Sequence, residues 1–189
     1  MKILILEGIP TSGKTTVCNK IQELLQKYGK TFLAVDEEET MWKLGNNTDK
    51  KVSIKFLKEI LEKAMSKPHD VVIFDRLHFS QVFRTNGSVV DFKEIEDLIS
   101  DKAFIAFFKI SEESIPTRIT NAMEHRPKEW TIHVKKKESM EEIIHYYTTQ
   151  QKLLEGLLLE TTLRNETYST DTMNFENIAE KIFKKMVYE

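Results

Sequence analysis

Short apolar runs alternate with amphipathic stretches along the chain and predict five β-strands. The expected strands cover residues 3–6, 31–35, 71–74, 104–108 and 166–169. The first run is continuously apolar, which is typical of a central parallel strand that is buried on both faces. A repeated order of strand and then helix indicates a parallel sheet with helices on both sides. We therefore expect an α/β fold built on a five-stranded parallel sheet.

Apolar residues at helical spacing predict the helices between these strands. One helix begins after Gly13 and ends before Gly29, which readily adopts the left-handed conformation that ends helices. Another is expected over Lys50–Met65. Ser139 followed by Glu142 forms the pattern of a capping box and predicts the start of a long amphipathic helix. Further helices are expected near 95–99, 111–126 and 175–187.

Length and composition favour one soluble, cytoplasmic domain. The chain has 189 residues, a formal net charge of −2 and 31% charged residues. A chain of this length can bury about 70% of its unfolded surface without disulfides or a structural metal. Near-neutral charge argues against a general attraction to nucleic acid or anionic membranes. The single cysteine, Cys18, and the absence of a signal-peptide or membrane-spanning pattern indicate a reduced compartment and no membrane partner.

A glycine-rich segment directly after the first strand carries the strongest chemical signal. It matches the P-loop pattern of glycine, any four residues, glycine, lysine and a hydroxyl residue. In such a loop, backbone N–H groups turn toward a polyanion at the positive end of a helix. Lys14 would add a charge for the terminal phosphates, and the Thr15 hydroxyl would ligate Mg²⁺. We predict that the chain binds ATP and Mg²⁺ through Gly8, Pro10, Thr11, Ser12, Gly13, Lys14, Thr15 and Thr16.

The third strand ends in a carboxylate followed by an arginine, Asp75 and Arg76. We expect this strand to lie beside the first, so that Asp75 reaches the metal directly or through water. Arg76 has a fork geometry that suits phosphate oxygens. The alternative is an ordinary surface salt bridge.

Four acids follow the second strand at 36–39. Acceptors bind at this edge of doubly wound sheets, and a carboxylate there can orient and deprotonate an attacking hydroxyl. Asp36 and Glu37 are the best placed candidates for this base. A solvated acidic turn is the competing interpretation.

Arginines in the second half of the chain predict a lid. Arg118 lies on the helix predicted after the fourth strand, and Arg126 lies at the edge of a basic stretch at 124–137 that has no clear periodicity. We interpret that stretch as a mobile loop and the segment at about 111–137 as a lid that closes over the triphosphate. Such cations would offset the charge of the transferring phosphoryl group. Ordinary helix-surface charge is the alternative.

Several segments together resemble the thymidylate kinase and deoxynucleoside kinase superfamily. They are GIPTSGKTT, IFDRLHFS, TRITNAMEHR and YSTDTMNFENIAEKI. The resemblance implies a P-loop kinase in which Asp75, Arg76 and Ser80 form the motif after strand three and Arg118 and Arg126 serve the lid. It also implies that the loop at 170–174, with Thr172, contacts the adenine. Homodimers are common in that superfamily, so the resemblance also suggests a homodimer.

The chain departs from the superfamily after strand two. Thymidylate kinases carry an arginine and then Glu-Pro there, and the arginine grips the acceptor monophosphate. This chain has acids at 36–39 instead, which would repel a phosphate. The departure favours a neutral acceptor such as a nucleoside, although Arg76 and Arg84 could still receive a phosphate.

Our leading interpretation is a single domain over 1–189 that transfers the γ-phosphate of ATP to a small acceptor, a nucleoside or nucleoside monophosphate. One rival is a nucleotide-dependent switch that binds a partner and phosphorylates nothing. Another is a polynucleotide 5′-kinase, in which the lysines at 135–137 would steer the strand. The near-neutral charge argues against this last possibility.

Overall fold

The structure is a computed structural model that describes residues 1–125, 132 and 139–189. Its five strands form one parallel sheet in the order β2-β3-β1-β4-β5, which confirms the predicted sheet. The fifth strand begins two residues earlier than its predicted start. The strands are β1 (Lys2–Glu7), β2 (Phe32–Val35), β3 (Val71–Asp75), β4 (Ala103–Lys109) and β5 (Arg164–Ser169).

The helices described by the structure cover both faces of the sheet. Short 3₁₀ turns at Trp42–Leu44, Val89–Phe92 and Glu112–Ser114 link some of them. The helices are α1 (Lys14–Lys27), α2 (Glu37–Thr40), α3 (Lys50–Met65), α4 (His78–Arg84), α5 (Lys93–Ile99), α6 (Ile115–His125), α7 (Met140–Glu160) and α8 (Phe175–Tyr188).

Side-chain caps fix several of the predicted helix starts. Helix α3 has the predicted bounds, because the Asp49 carboxylate at its start accepts hydrogen bonds from two backbone N–H groups. Helix α7 begins after Ser139, whose hydroxyl oxygen accepts from the Glu142 N–H at 3.2 Å. Helix α6 begins at Ile115, four residues later than predicted, with Pro116 in its first turn where no intrahelical N–H is needed.

Side chains of β1 pack alternately into two separate hydrophobic cores. Ile3 and Ile5 join the core beneath α3 to α7, whereas Leu4 and Leu6 join the core beneath α1 and α8. This alternation follows from the two-residue period of a strand. Because both faces are covered, β1 is fully buried from Ile3 onward.

The strand order places two loops side by side at one edge of the sheet. Leu6 of β1 pairs with Asp75 of β3, so the glycine-rich loop after β1 and the turn after β3 leave the sheet together. Ligands of open α/β sheets bind at this edge, where neighbouring connections run to opposite faces. None of the helices in the described ranges combines the length and apolar character needed to cross a membrane.

Candidate active site

The segment from Gly8 to Thr15 forms a tight loop between β1 and α1. Gly8 has φ of 146°, and Gly13, which caps α1, has φ of 90°. A Cβ added at Gly8 would lie 2.5 Å from the Phe108 carbonyl oxygen, and one added at Gly13 would lie 2.6 Å from Phe175 Cε1. Both positions therefore require glycine on two counts, backbone conformation and space.

Lys14 lies buried at the centre of this loop, with 5% of its surface exposed. Its Nζ donates to the carbonyl oxygens of Gly8 at 3.0 Å and Ile9 at 3.1 Å. Burial lowers the pKa of the ammonium to about 8, and the Arg76 charge acts in the same direction against the opposing carboxylates Asp75 and Glu37. An anion in the loop would stabilise this charge.

A cavity of about 240 Å³ opens in front of the loop. Thr15 and Thr16 are exposed there at the first turn of α1. Arg118 lines the same cavity and donates to the Thr170 carbonyl oxygen after β5. The cavity is lined by Thr11, Gly13, Lys14, Thr15, Thr16, Arg118 and Phe175. The structure therefore brings the predicted lid arginine on α6 to the phosphate loop.

Asp75 is the carboxylate that the sheet presents beside this loop. Burial raises the pKa of Asp75, and the charges of Lys14 and Arg76 counteract that rise. Its Oδ1 is buried with no hydrogen-bond partner among the described residues. Buried polar atoms are normally paired, so an unbonded carboxylate oxygen close to the charge of Lys14 fits the ligand of a hard cation such as Mg²⁺.

Arg76 follows in a left-handed backbone conformation, with φ of 67°. That conformation costs a non-glycine residue about 1–2 kcal/mol. The side chain is 3% exposed, its Nε lies 3.2 Å from Glu37 Oε1, and its Nη1 donates to Ser80 Oγ at 3.3 Å. The predicted Asp-Arg-x-x-x-Ser residues thus meet in space, with the serine on α4.

The acids after β2 take different roles in the structure. Asp36 is exposed, and its side chain caps α2 by accepting from the Glu39 N–H at 2.9 Å. Glu37 pairs with Arg76 and so joins the cluster at the sheet edge. Glu38 is exposed, and Glu39 pairs with Lys43. The segment is a short helix, and Glu37 is the acid that it directs toward Arg76.

Polar contacts hold this short helix to the turn after β3. The Thr40 hydroxyl donates to the Asp75 carbonyl oxygen at 3.0 Å, and Gln81 Nε2 donates to the Thr40 carbonyl oxygen at 3.1 Å. Arg84 donates to the carbonyl oxygens of Met41, at 2.7 Å, and Gly45. These bonds fix Glu37 relative to the phosphate loop.

Sequence reasoning missed two further residues of this region. Glu7 ends β1 immediately before the loop and is fully buried, and its only sequence signal is an acid at the end of an apolar strand. Burial raises the pKa of Glu7, with Arg76 opposing that rise. Tyr146 of α7 packs edge to face against Phe83 at 6.3 Å between ring centroids. No local sequence pattern marks Tyr146, because only the tertiary fold brings α7 close to Arg76 and Arg84.

The remaining predicted residues fall outside this cluster. Thr172 is exposed in the turn after β5, and Phe175 is the residue near that turn that lines the cavity. Two aromatic residues that follow β2 and β3 in the chain could in principle stack on a ring, but Phe79 is fully buried in the core and Trp42 is 63% exposed. Arg126, the lysines at 135–137 and most of the predicted mobile loop lie outside the described residues.

Part of the chain is similar in sequence to a known protein family. The model of the family described as "Chromatin associated protein KTI12" matches residues 1–86. No curated protein sequence matches the chain.

Solved structures are similar over nearly the whole chain. YorR from Bacillus subtilis, determined in complex with phosphorylated GDP, has a TM-score of 0.61 at 16% identity and covers 96% of this chain and 93% of its own. Shikimate kinase from Acinetobacter baumannii, in complex with shikimate, has 0.58 at 16% and covers 99% and 93%. Shikimate kinase from Bacteroides thetaiotaomicron has 0.60 at 14% and covers 100% and 99%. At these identities the likeness establishes the fold, and the chain has the five-stranded P-loop fold of the shikimate kinases.

Proposed function

We propose that the protein is a Mg²⁺-dependent phosphotransferase that passes the γ-phosphate of ATP to a small hydroxyl acceptor. One observation carries this proposal. A buried P-loop lysine, a partner-free Asp75 oxygen among the described residues and an Arg76–Glu37 pair converge at one edge of the sheet. Phosphoryl transfer needs a phosphate cradle, a metal ligand, a cation for developing charge and a base for the acceptor.

The donor side is formed by the loop and the start of α1. The loop amides and Lys14 would bind the phosphates, as in other P-loops. Thr15 and Asp75 would hold Mg²⁺, which neutralises charge on phosphate oxygens when bound. Arg118, which lines the same cavity, would contact the same phosphates and exclude water, as part of a lid at about 111–137. Arg126 and Thr172 remain proposed contacts of the lid and the adenine.

The acceptor side is formed by α2, α4 and α7. Glu37 is partly exposed and lies against Arg76, so its carboxylate can accept a proton from an acceptor hydroxyl while Arg76 faces the transferring group. Asp36 is the weaker candidate for the base because its carboxylate already caps α2.

The chemistry of this cleft favours a neutral acceptor, such as a nucleoside, over a monophosphate. Arg84 donates hydrogen bonds to the carbonyl oxygens of Met41 and Gly45, and Arg76 forms an ion pair with Glu37. The rings of Phe83 and Tyr146 pack against each other, and Tyr146 lies close enough to Arg76 and Arg84 to feel their charges. Aromatic rings offer a base or sugar an apolar contact area. The resemblance to the thymidylate kinase and deoxynucleoside kinase superfamily covers nucleoside and nucleoside monophosphate acceptors alike, so the preference for a neutral acceptor rests on the side chains after β2 and β3.

The test is acceptor-dependent release of ADP. Purified protein with ATP and Mg²⁺ would be given nucleosides, nucleoside monophosphates, sugars and other hydroxyl compounds. We expect turnover with a nucleoside, and Lys14→Ala should abolish it. Lys55→Ala, which removes an exposed lysine on α3, is the matched control and should leave turnover unchanged. If no acceptor in the panel increases ADP release, the proposal fails.

A second candidate function is a nucleotide-dependent switch that binds a partner. The observation in its favour is the match of residues 1–86, which include the P-loop and Asp75, to the family described as chromatin associated. Tight ATP binding with slow hydrolysis, and a nucleotide-dependent change in association with a partner, would favour this function over the first.

A further inference from the structure

Glu7 occupies an unusual place, because it is an acid at the end of the central strand of the sheet. It follows four consecutive residues of β1 that are fully buried and apolar, and it immediately precedes Gly8. Its own exposed fraction is 0%. Removing a carboxyl group from water is costly unless its oxygens are bonded, so a Glu at this position needs a physical reason.

The Glu7 side chain bonds to the turn that carries Asp75 and Arg76. Its Oε1 accepts a hydrogen bond from the Leu77 N–H at 3.0 Å. The residues that precede Glu7 and Leu77 are also bonded to each other, because the Arg76 N–H donates to the Leu6 carbonyl oxygen at 3.0 Å. Two successive N–H groups of the turn are thus bound to the end of β1, one by backbone and one by the Glu7 carboxyl group.

This pair of bonds lies on either side of a strained residue, Arg76. Arg76 has φ of 67°, so the chain must be held on both sides for that conformation to persist. The backbone bond holds Arg76 itself, and the Glu7 bond holds the residue after it. Without the second bond, the turn can relax toward ordinary dihedral angles, and the side chains of Asp75 and Arg76 would move with it.

We infer that Glu7 is a positioning residue that ties the phosphate loop to the Asp75–Arg76 turn through the bond from its Oε1 to the Leu77 N–H. The inference rests on the proposed function, since it assigns Asp75 to the metal and Arg76 to the transferring group. Glu7 itself touches neither substrate nor metal. It keeps the two halves of the site in register, one on each side of the β1–β3 pairing.

The other carboxyl oxygen, Oε2, is buried without a hydrogen-bond partner in the described part of the chain. Its surroundings include the cationic groups of Arg76 and Lys14. An apolar residue of similar size would remove an unbonded carboxyl oxygen from the core but would also take a negative charge away from these two buried cations. It would also leave the Leu77 N–H unpaired, so its effect should fall on the turn and not on the sheet.

The experiment compares Glu7→Leu with Glu7→Gln, which keeps an oxygen acceptor for the Leu77 N–H. Two readouts are used: kcat and KM with the best acceptor, and ADP affinity by calorimetry with Mg²⁺ or with EDTA. The Mg²⁺ gain is the increase in ADP affinity when EDTA is replaced by Mg²⁺. We expect Glu7→Leu to keep its ADP affinity in EDTA within about threefold but to lose most of the Mg²⁺ gain. Its kcat should fall about 10²-fold. Glu7→Gln should restore both quantities to within about fivefold of the original protein.

Glu96→Gln is the matched control, because Glu96 is another buried acid but bonds to the His78 ring and to Thr161 and Thr162, and to no backbone N–H of the turn at 75–77. It should keep the Mg²⁺ gain. The inference is overturned if Glu7→Leu retains both kcat and the Mg²⁺ gain, or if Glu7→Gln is as damaged as Glu7→Leu. If Glu7→Leu does not fold, Glu7→Asp, which withdraws the acceptor by one methylene, takes its place and should lose the Mg²⁺ gain. The Mg²⁺ readout decides the inference even if no acceptor is phosphorylated.

Discussion

The buried ammonium of Lys14 predicts that nucleotide affinity falls at alkaline pH. Its pKa is lowered to about 8 from the ordinary 10.5, chiefly by burial and then by the charge of Arg76. A bound polyphosphate supplies the opposite charge and should return the pKa to at least its ordinary value. Between these two values the complex holds one more proton than the free protein, so binding takes up a proton and weakens as pH rises.

The size of the effect follows from the two charged fractions. With a pKa of about 8, the free Lys14 is about 90% charged at pH 7 and about 10% charged at pH 9. The bound lysine remains almost fully charged at both values. ADP affinity should therefore fall about tenfold between pH 7 and pH 9, which is about 1.4 kcal/mol.

Calorimetry at several pH values, in buffers of different ionisation enthalpy, measures both the affinity and the proton taken up. Lys14→Met should bind ADP weakly with no pH slope over this range. Lys27→Met, which removes an exposed lysine from the last turn of the same helix, should keep the slope. An unchanged affinity in the original protein, or an equal slope in Lys14→Met, would refute the reasoning.

Three further predictions test the site. Gly13→Ala should reduce ADP affinity at least about tenfold, because its Cβ would lie 2.6 Å from Phe175 Cε1 at a φ of 90°. Calorimetry measures the affinity, and an unchanged value would contradict the loop geometry. Glu37→Gln should lower kcat by about 10²-fold, whereas Asp36→Asn should change it less than about threefold because asparagine still caps α2; equal losses in steady-state assays would contradict Glu37 as the base. Arg118→Ala should lower kcat about tenfold or more with little loss of melting temperature, and an unchanged kcat would remove it from the site.

The sheet and the phosphate loop were predictable because their signals are local. A buried parallel strand is written as a continuous apolar run, as at 71–74, and a P-loop requires glycines at fixed spacing. The bounds of α3 were also predictable, since the run is long enough for its period to be recognised and Asp49 marks its start.

The short helices of the acceptor side were not predictable in the same way. Helix α2 has four residues and α4 has seven, which is too few for a periodic pattern. The sequence thus could not choose between Asp36 and Glu37 as the base, and only the turn of α2 separates them. Glu7 and Tyr146 were missed because their roles depend on partners distant in sequence, such as Leu77 and Phe83.

The contact between Phe175 and Gly13 makes the final helix part of the wall around the phosphates. Helix α8 also pairs with α1 through Lys20 and Glu176 and through the rings of Tyr28 and Phe183. A protease cut, an epitope tag or an antibody that displaces α8 would consequently lower the affinity for nucleotide, although the glycine-rich loop itself would be unchanged. Amide hydrogen exchange along α8 should slow when ADP is added, which makes this helix a convenient reporter of occupancy.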